Sequence, residues 1–154
     1  MSSRKSKGIS SMVIVLILVG LFFVLLLLSA RPVHRSSPLV VEAKWFVDGL
    51  SVTQVARGVV VKARVTVEGV EEYVGSIVVK VRKDIAVWSD VDYEVSTFPV
   101  SIAGGEQKEL TVAFQPDQIS DNSMRGYFIQ IDYQAIGTTW TMQNTYPPRL
   151  KTTD

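Results

Sequence analysis

The sequence predicts an antiparallel β-sandwich of about seven to eight strands behind a single N-terminal transmembrane helix. Three observations lead there. No charge interrupts the chain between Lys7 and Arg31, and Met12–Leu28 is apolar or glycine throughout. From Leu39 onward apolar residues recur at every second position, the spacing of a half-buried strand. These runs return at intervals of roughly 8–12 residues with turn residues between them and no helical period, the pattern of a two-sheet domain.

The apolar stretch Ile9–Ala30 has 22 residues. At about 1.5 Å per residue a helix of that length reaches about 33 Å, enough for a hydrocarbon core of about 30 Å. It has no polar face, which excludes an amphipathic helix lying on the surface. Arg4, Lys5 and Lys7 precede it, and Arg31 and Arg35 follow. That excess favours a cytoplasmic N-terminus and an extracytoplasmic C-terminal domain. Small residues at Ser29 and Ala30 suit a signal peptidase. Leu28 fits poorly three positions back, however, and the run exceeds the usual signal core of about 7–15 residues, so a retained anchor is expected. The chain then divides into a basic leader (1–8), a membrane helix (9–30), a linker (31–38), a sandwich (39–143) and a tail (144–154).

Lys7-Gly8-Ile9-Ser10 followed by an apolar helix resembles the class III signal of archaeal type IV pilin-like proteins. Archaellum stator subunits are similar in plan, with a short basic leader, one hydrophobic helix and a β-sandwich outside the cell. The resemblance implies cleavage between Gly8 and Ile9, with Lys7 flanking the bond. Many pilins carry glutamate at the fifth mature position, where this chain has Val13. A second reading, in which Gly8 closes the polar leader of an ordinary signal anchor, stays open.

The three leader cations leave 13 Lys and Arg against 15 Asp and Glu beyond residue 30, a net charge of −2 with the signs interspersed. That is not the basic footprint of a nucleic-acid binder. There is no cysteine, which excludes disulfides, thiolate metal sites and cysteine-linked lipid. A core of about 110 residues must hold the domain, and a chain of that size can bury well over half its unfolded surface.

The linker Arg31–Pro38 holds two prolines and the one histidine, His34, placed as polar spacer rather than catalyst. Leu39–Val47 reads as a strand with Val41, Ala43 and Trp45 on one face. Asp48-Gly49 turns into a short strand within Leu50–Val55. Val59–Val67 alternates most regularly, and a one-residue slip would bury Lys62 and Arg64. Glu68–Gly75 reads as a loop and Ser76–Arg82 as a strand. Lys83–Asp90, with Trp88, reads as a crossing between sheets. Tyr93–Ile102 carries Pro99, which places it at an edge or a bulge. Ala103–Glu106 turns into Lys108–Phe114, and the polar loop Gln115–Gly126 leads to Tyr127–Tyr133. Gly137 precedes a last strand around Thr138–Gln143 with Trp140. The tail, with two prolines, reads as an extended end strand or a disordered terminus.

Gly58-Val59 with Val61, Ala63 and Val65, Gly104-Gly105 with Leu110, Val112 and Phe114, and Gly126-Tyr127 with Ile129 and Ile131 together resemble Ig-like domains of the fibronectin III or CARDB kind. That resemblance implies a fold class and gives Tyr127 a tyrosine-corner role.

Little in the sequence carries chemistry. A hydrolytic triad needs a histidine near the nucleophile, and His34 lies in the linker. No cofactor site and no small-molecule substrate is expected. The best carboxylate cluster is Asp90, Asp92 and Glu94, which on a regular strand would share one side and could ligate Ca²⁺; more often such a run blunts a sheet edge. Trp45 and Trp140 suit a core, and Trp88, Phe46 and Tyr146 complete the set from which a sugar- or partner-binding platform could form. Phe46 and Phe128 fall on the faces opposite the core and are the candidate interaction surface. The expected function is non-catalytic: a membrane-anchored envelope protein whose partners are other envelope proteins or further copies of itself. The alternatives are a pilin-like filament subunit processed after Gly8 and a glycan- or calcium-binding ectodomain.

Overall fold

The computed structural model describes residues 37–135 and 141–154, with Val19 alone among the residues before them. The predicted leader and span, the Lys7–Ile9 junction, His34, Gly137 and Trp140 lie outside the described residues. Among those described, no helix is long and apolar enough to cross a membrane.

The described chain is an all-β sandwich of two sheets. Its strands are β1 (Leu39–Val47), β2 (Leu50–Ser51), β3 (Gln54–Ala56), β4 (Val61–Gly69), β5 (Tyr73–Ile85), β6 (Val91–Ile102), β7 (Gln107–Phe114), β8 (Met124–Gln134) and β9 (Thr141–Thr153). One sheet has the order β2-β1-β4-β7 and the other β3-β9-β8-β5-β6.

The alternation read from β4 is the alternation observed. Val61, Ala63, Val65 and Val67 are fully buried, and Lys62 is exposed between them. Leu110, Val112 and Phe114 of β7 and Ile77, Val79 and Val81 of β5 close on the same core. At one end an aromatic group ties the sheets together. Phe114 lies 5.4 Å from Tyr127 and 5.9 Å from Tyr93 by ring centroid, with Trp45 at 5.6 Å on its other side. Such tilted and edge-on contacts each add about 0.5–1.5 kcal/mol beyond burial.

Four expectations are corrected. Lys83–Asp90 does not cross between sheets; it runs through the end of β5 into a hairpin, because β5 and β6 pair in one sheet. The chain changes sheets at residues 70–72 instead, between β4 and β5, and also between β2 and β3, β3 and β4, β6 and β7, and β7 and β8. Tyr73, read as loop, is a buried strand residue whose ring lies over Gly75. A Cβ on Gly75 would come within 2.8 Å of the Tyr73 hydroxyl, so this glycine serves ring packing rather than a turn. Leu50–Val55 is split between sheets: β2 pairs with β1, and β3 runs parallel to β9, so the sandwich is not wholly antiparallel.

Residues 144–153 belong to the sandwich, the extended alternative for the tail. Leu150 is fully buried opposite Tyr127. The two prolines are absorbed because the β8–β9 register shifts between Tyr127 and Ile129, skipping residues 147–149, where no ladder N–H is needed. Pro99 does sit on an edge strand, β6.

Candidate functional site

The sequence offered three carboxylates on one side of a strand, and a bulge separates them. Val81 pairs with Glu94 and Arg82 with Asp92, which leaves Tyr93 as an extra residue in β6. A bulge sets two residues against one and re-aims the side chains around it. Tyr93 turns into the aromatic cluster and Glu94 faces a groove beside it, while Asp92 stays on the outer face, 2.6 Å from Arg82 Nε. Among the described residues no group of three carboxylates or histidines converges. The shared side expected for Asp90, Asp92 and Glu94 is therefore not observed.

Phe46 and Phe128 are not brought together either. Phe46 lies on the outer face of the four-stranded sheet, half-buried under the Arg64 guanidinium at 4.1 Å. Phe128 lies on the outer face of the other sheet and is only 3% exposed. β8 is a central strand, and the arginines of its neighbours fold over that face, with Arg149 4.8 Å and Arg82 5.7 Å from the Phe128 ring. Arg149 is held by Asp84 at 2.7 Å, and Arg82 donates to Gln130 Oε1 at 2.7 Å. Long cationic stems thus cover a ring that alternation alone places in solvent.

A polar cluster closes the end of the sandwich beneath the aromatic group. Lys83 Nζ lies 3.0 Å from Asp117 Oδ1 and 4.4 Å from the Tyr93 ring centre. Tyr127 donates to Asp117 Oδ1 at 3.1 Å, and Tyr93 donates to the Gln115 carbonyl at 2.6 Å. Burial, reinforced by the Asp117 carboxylate, pushes the Tyr127 hydroxyl far above its ordinary value. Burial also raises the Asp117 carboxyl, but hydrogen bonds from Lys83 and Tyr127 outweigh it and leave the group below the usual range. Every polar member has a partner, Lys83 and Tyr127 on the Asp117 carboxylate and Tyr93 on the Gln115 carbonyl. The cluster ties the Asp117 loop to β5 and β8.

These shifts set the pH limits of the fold. Burial pushes Tyr146 up to about 12, and its hydroxyl donates to the Val41 carbonyl at 3.0 Å. Where a folded pKa is raised, the stability is complete below the unfolded value, about 10 for tyrosine, and is lost as the pH rises toward the folded one. Thermal melts between pH 9 and 12 are therefore expected to show a falling Tm, shallower in Tyr146→Phe. Asp117 works with the opposite sign: its stabilisation is present above about pH 4 and lost below.

The feature that the sequence reading missed is the β5–β6 turn. Val87 and Trp88 stand at its tip 99% and 77% exposed, with Val91 half-exposed beside them. Val87 has φ of +75°, a region that β-branched residues occupy only under strain of about 1–3 kcal/mol. The base of the turn is fixed on both sides. Ala86 N–H donates to the Ser123 carbonyl at 2.7 Å, and Arg82 donates to the Asp90 carbonyl at 2.8 Å. Asp121 braces the adjoining loop by accepting from the Ser123 and Met124 amides at 2.7 and 2.8 Å. The result is an apolar knob on a hydrogen-bonded base. Val87→Gly is expected to raise stability by about 1 kcal/mol in denaturant melts, by relieving the strain. The signal in sequence was the lack of glycine or asparagine in a turn that has to reverse the chain.

Among the concavities lined by described residues, two lie on opposite flanks of the sandwich. An open groove of about 650 Å³ lies between the β6 and β7 edges, lined by Tyr93, Glu94, Phe114 and Asp117 with Arg57 and Val60. A smaller one of about 290 Å³ lies between β1 and β9, with Trp45, Val52, Ile129, Tyr146 and Pro148 in its lining. Trp45 is buried as expected, its indole N–H donating to the Pro148 carbonyl at 3.3 Å. Trp45 and Trp88 share no surface.

No family model matches the chain, and no curated protein matches it. A solved structure of a β-glucosidase from Erythrobacter marinus is similar at 12% identity over 75% of the chain, with a TM-score of 0.41. The chain spans 15% of that protein's length, and a likeness of that size bears on neither fold family nor activity.

Proposed function

We propose that this chain is a non-catalytic, single-pass membrane protein whose Ig-like β-sandwich is held outside the cytoplasm and mediates protein–protein interaction in a membrane or surface assembly. The observation that carries this reading is the strained, solvent-facing Val87-Trp88 knob, braced by a backbone hydrogen bond on one side and by the Arg82 guanidinium on the other. An exposed tryptophan on a rigid support is the kind of residue that anchors interfaces. Strain kept in an otherwise well-formed sheet points to use rather than stability.

Strand order supports the Ig-like assignment. β1, β4 and β7 follow the A-B-E arrangement, and β9-β8-β5-β6 follows G-F-C-C′. Tyr127, near the start of β8 with its hydroxyl reaching back to Asp117, fits the tyrosine corner. Three of the four sheet edges are blunted against strand addition, and β7 (Gln107–Phe114) is the uninterrupted one. β2 and β3 are two and three residues long, and β6 is interrupted by the Tyr93 bulge and by Pro99, both devices that blunt an edge.

A photoreactive amino acid at Trp88, introduced into the full chain in native membranes, tests the reading. It is expected to give discrete crosslinked polypeptides, whereas the same probe at exposed Glu71, at the other end of the domain, gives none. Labelling of lipid alone, or of nothing, at Trp88 contradicts it.

A further inference from the structure

The hydrogen-bond register of the β7 edge can be read from its neighbours. Gly69 N–H donates to the Glu106 carbonyl at 3.0 Å, one step beyond the Glu68–Gln107 pair. In an antiparallel ladder, pairs that exchange hydrogen bonds alternate with pairs that do not. Val67–Lys108, Val65–Leu110 and Ala63–Val112 are therefore the bonded pairs. The alternation agrees on the other side of β4, where Val70 N–H donates to the Pro38 carbonyl at 2.9 Å. Glu109, Thr111 and Ala113 then turn N–H and C=O away from β4, and among the described residues no strand lies on that side. Their side chains are exposed as well.

We infer that this edge takes up an extended segment of a different polypeptide, added as a fifth strand to the four-stranded sheet. Proteins blunt the edges that are to stay bare, and β2, β3 and β6 are blunted while β7 is not. Lys108 reaches across to the Ser101 carbonyl of β6 and guards only the start of the edge. Strand addition draws affinity from main-chain bonds and specificity from pockets for alternate side chains. Both are present. Glu109, Thr111 and Ala113 each offer an N–H and a C=O, and the groove of about 650 Å³ opens beside Ala113. Half-exposed Val60 and partly buried Tyr93 line it. Arg57 and Glu94 line it too, both exposed, and among the described residues neither has an ion-pair partner. An incoming strand with small apolar residues and one charge of each sign matches that lining.

A second copy does not suit this edge. β7 follows the turn that bonds Gly69, beside Val70 and Pro38 where the chain arrives from its linker, and runs away from that end. Antiparallel pairing of two β7 edges would invert one copy and point its tether away from the membrane that holds the other. Parallel pairing would need a one-residue stagger between identical strands, which a two-fold dimer cannot supply. This choice of occupant rests on the proposed topology; the open edge does not.

Residue-resolved hydrogen–deuterium exchange on the full chain, purified in detergent and in native membranes, tests the inference. In detergent the Leu110 and Val112 amides are expected to be protected, and those of Glu109, Thr111 and Ala113 to exchange fast. In native membranes the three outward amides should slow by at least about tenfold. Thr111→Pro removes one outward N–H and none that bonds β4. It should abolish the slowing at Glu109 and Ala113 while Leu110 and Val112 stay protected. Thr111→Ala keeps the N–H and should keep the slowing. Equally fast exchange of the three amides in membranes overturns the proposal, as does slowing that survives Thr111→Pro. Protection that appears in detergent and grows with protein concentration would mean a second copy, and overturns it too. None of these readouts involves Trp88, so the reading of the knob stands or falls by its own crosslink.

Discussion

Gly126→Ala is expected to cost about 3–4 kcal/mol, enough to unfold much of a domain of ordinary marginal stability. Gly126 lies near the start of β8 with φ of +124°, opposite Asp84 where the β5 register shifts. A Cβ at that position would stand 2.5 Å from the Leu150 carbonyl oxygen and 3.2 Å from its carbon, both backbone atoms of β9. Relief would require moving a strand in the middle of the five-stranded sheet, and packed interiors resist such shifts. Gly49→Ala is the internal comparison. Its φ is +84°, also unfavourable to an L side chain, but nothing lies within 4 Å of the added carbon. Only the conformational strain of about 1 kcal/mol remains there. Denaturant melts of the two variants should therefore differ by at least about 2 kcal/mol; equal losses would mean that the Gly126–Leu150 approach is not as close as described.

Tyr127→Ala is expected to cost about 3–5 kcal/mol and Tyr127→Phe about 1–2 kcal/mol. Tyr127 is fully buried and touches Phe114 and Tyr93 at ring-centre distances of 5.4 and 5.3 Å. Truncation removes the contact that joins the sheets and leaves a cavity. The conservative change keeps the ring and deletes only the hydroxyl that donates to Asp117. Asp117 retains Lys83 after that change, so the loss stays near that of one charge-assisted hydrogen bond. Calorimetry on both variants checks the split. A Tyr127→Phe loss as large as that of Tyr127→Ala would place the stabilisation in the polar lock rather than in the rings.

Where one face of a strand is buried and the other wet, the sequence showed it. β4 reads valine by valine as it folds, because Lys62 and the residues around it leave only one register. β7 and the inner face of β8 are equally plain. The reading failed where a strand is covered on both faces or where the period breaks. Phe128 looks exposed by alternation, yet Arg82 and Arg149 arrive from β5 and β9, strands distant in sequence, and cover it. The Tyr93 bulge leaves the residue types of β6 in apparent alternation while reversing which way Glu94 points. The prolines before Arg149 look like an ending because a register shift that tolerates them is a property of the pairing, not of either strand. Trp88 was visible as a residue. Its exposure was not, since that depends on β5 and β6 being neighbours in one sheet.

The proposed topology, a sandwich held outside the cytoplasm by an N-terminal span, is tested most directly by site-directed thiol labelling in intact cells. Without native cysteines, Ser89→Cys on the exposed turn and Ser3→Cys in the leader each give a single reporter. A membrane-impermeant maleimide is expected to label Ser89→Cys in intact cells and Ser3→Cys only after the membrane is opened. Labelling of Ser3→Cys in intact cells, with Ser89→Cys protected until lysis, would contradict it.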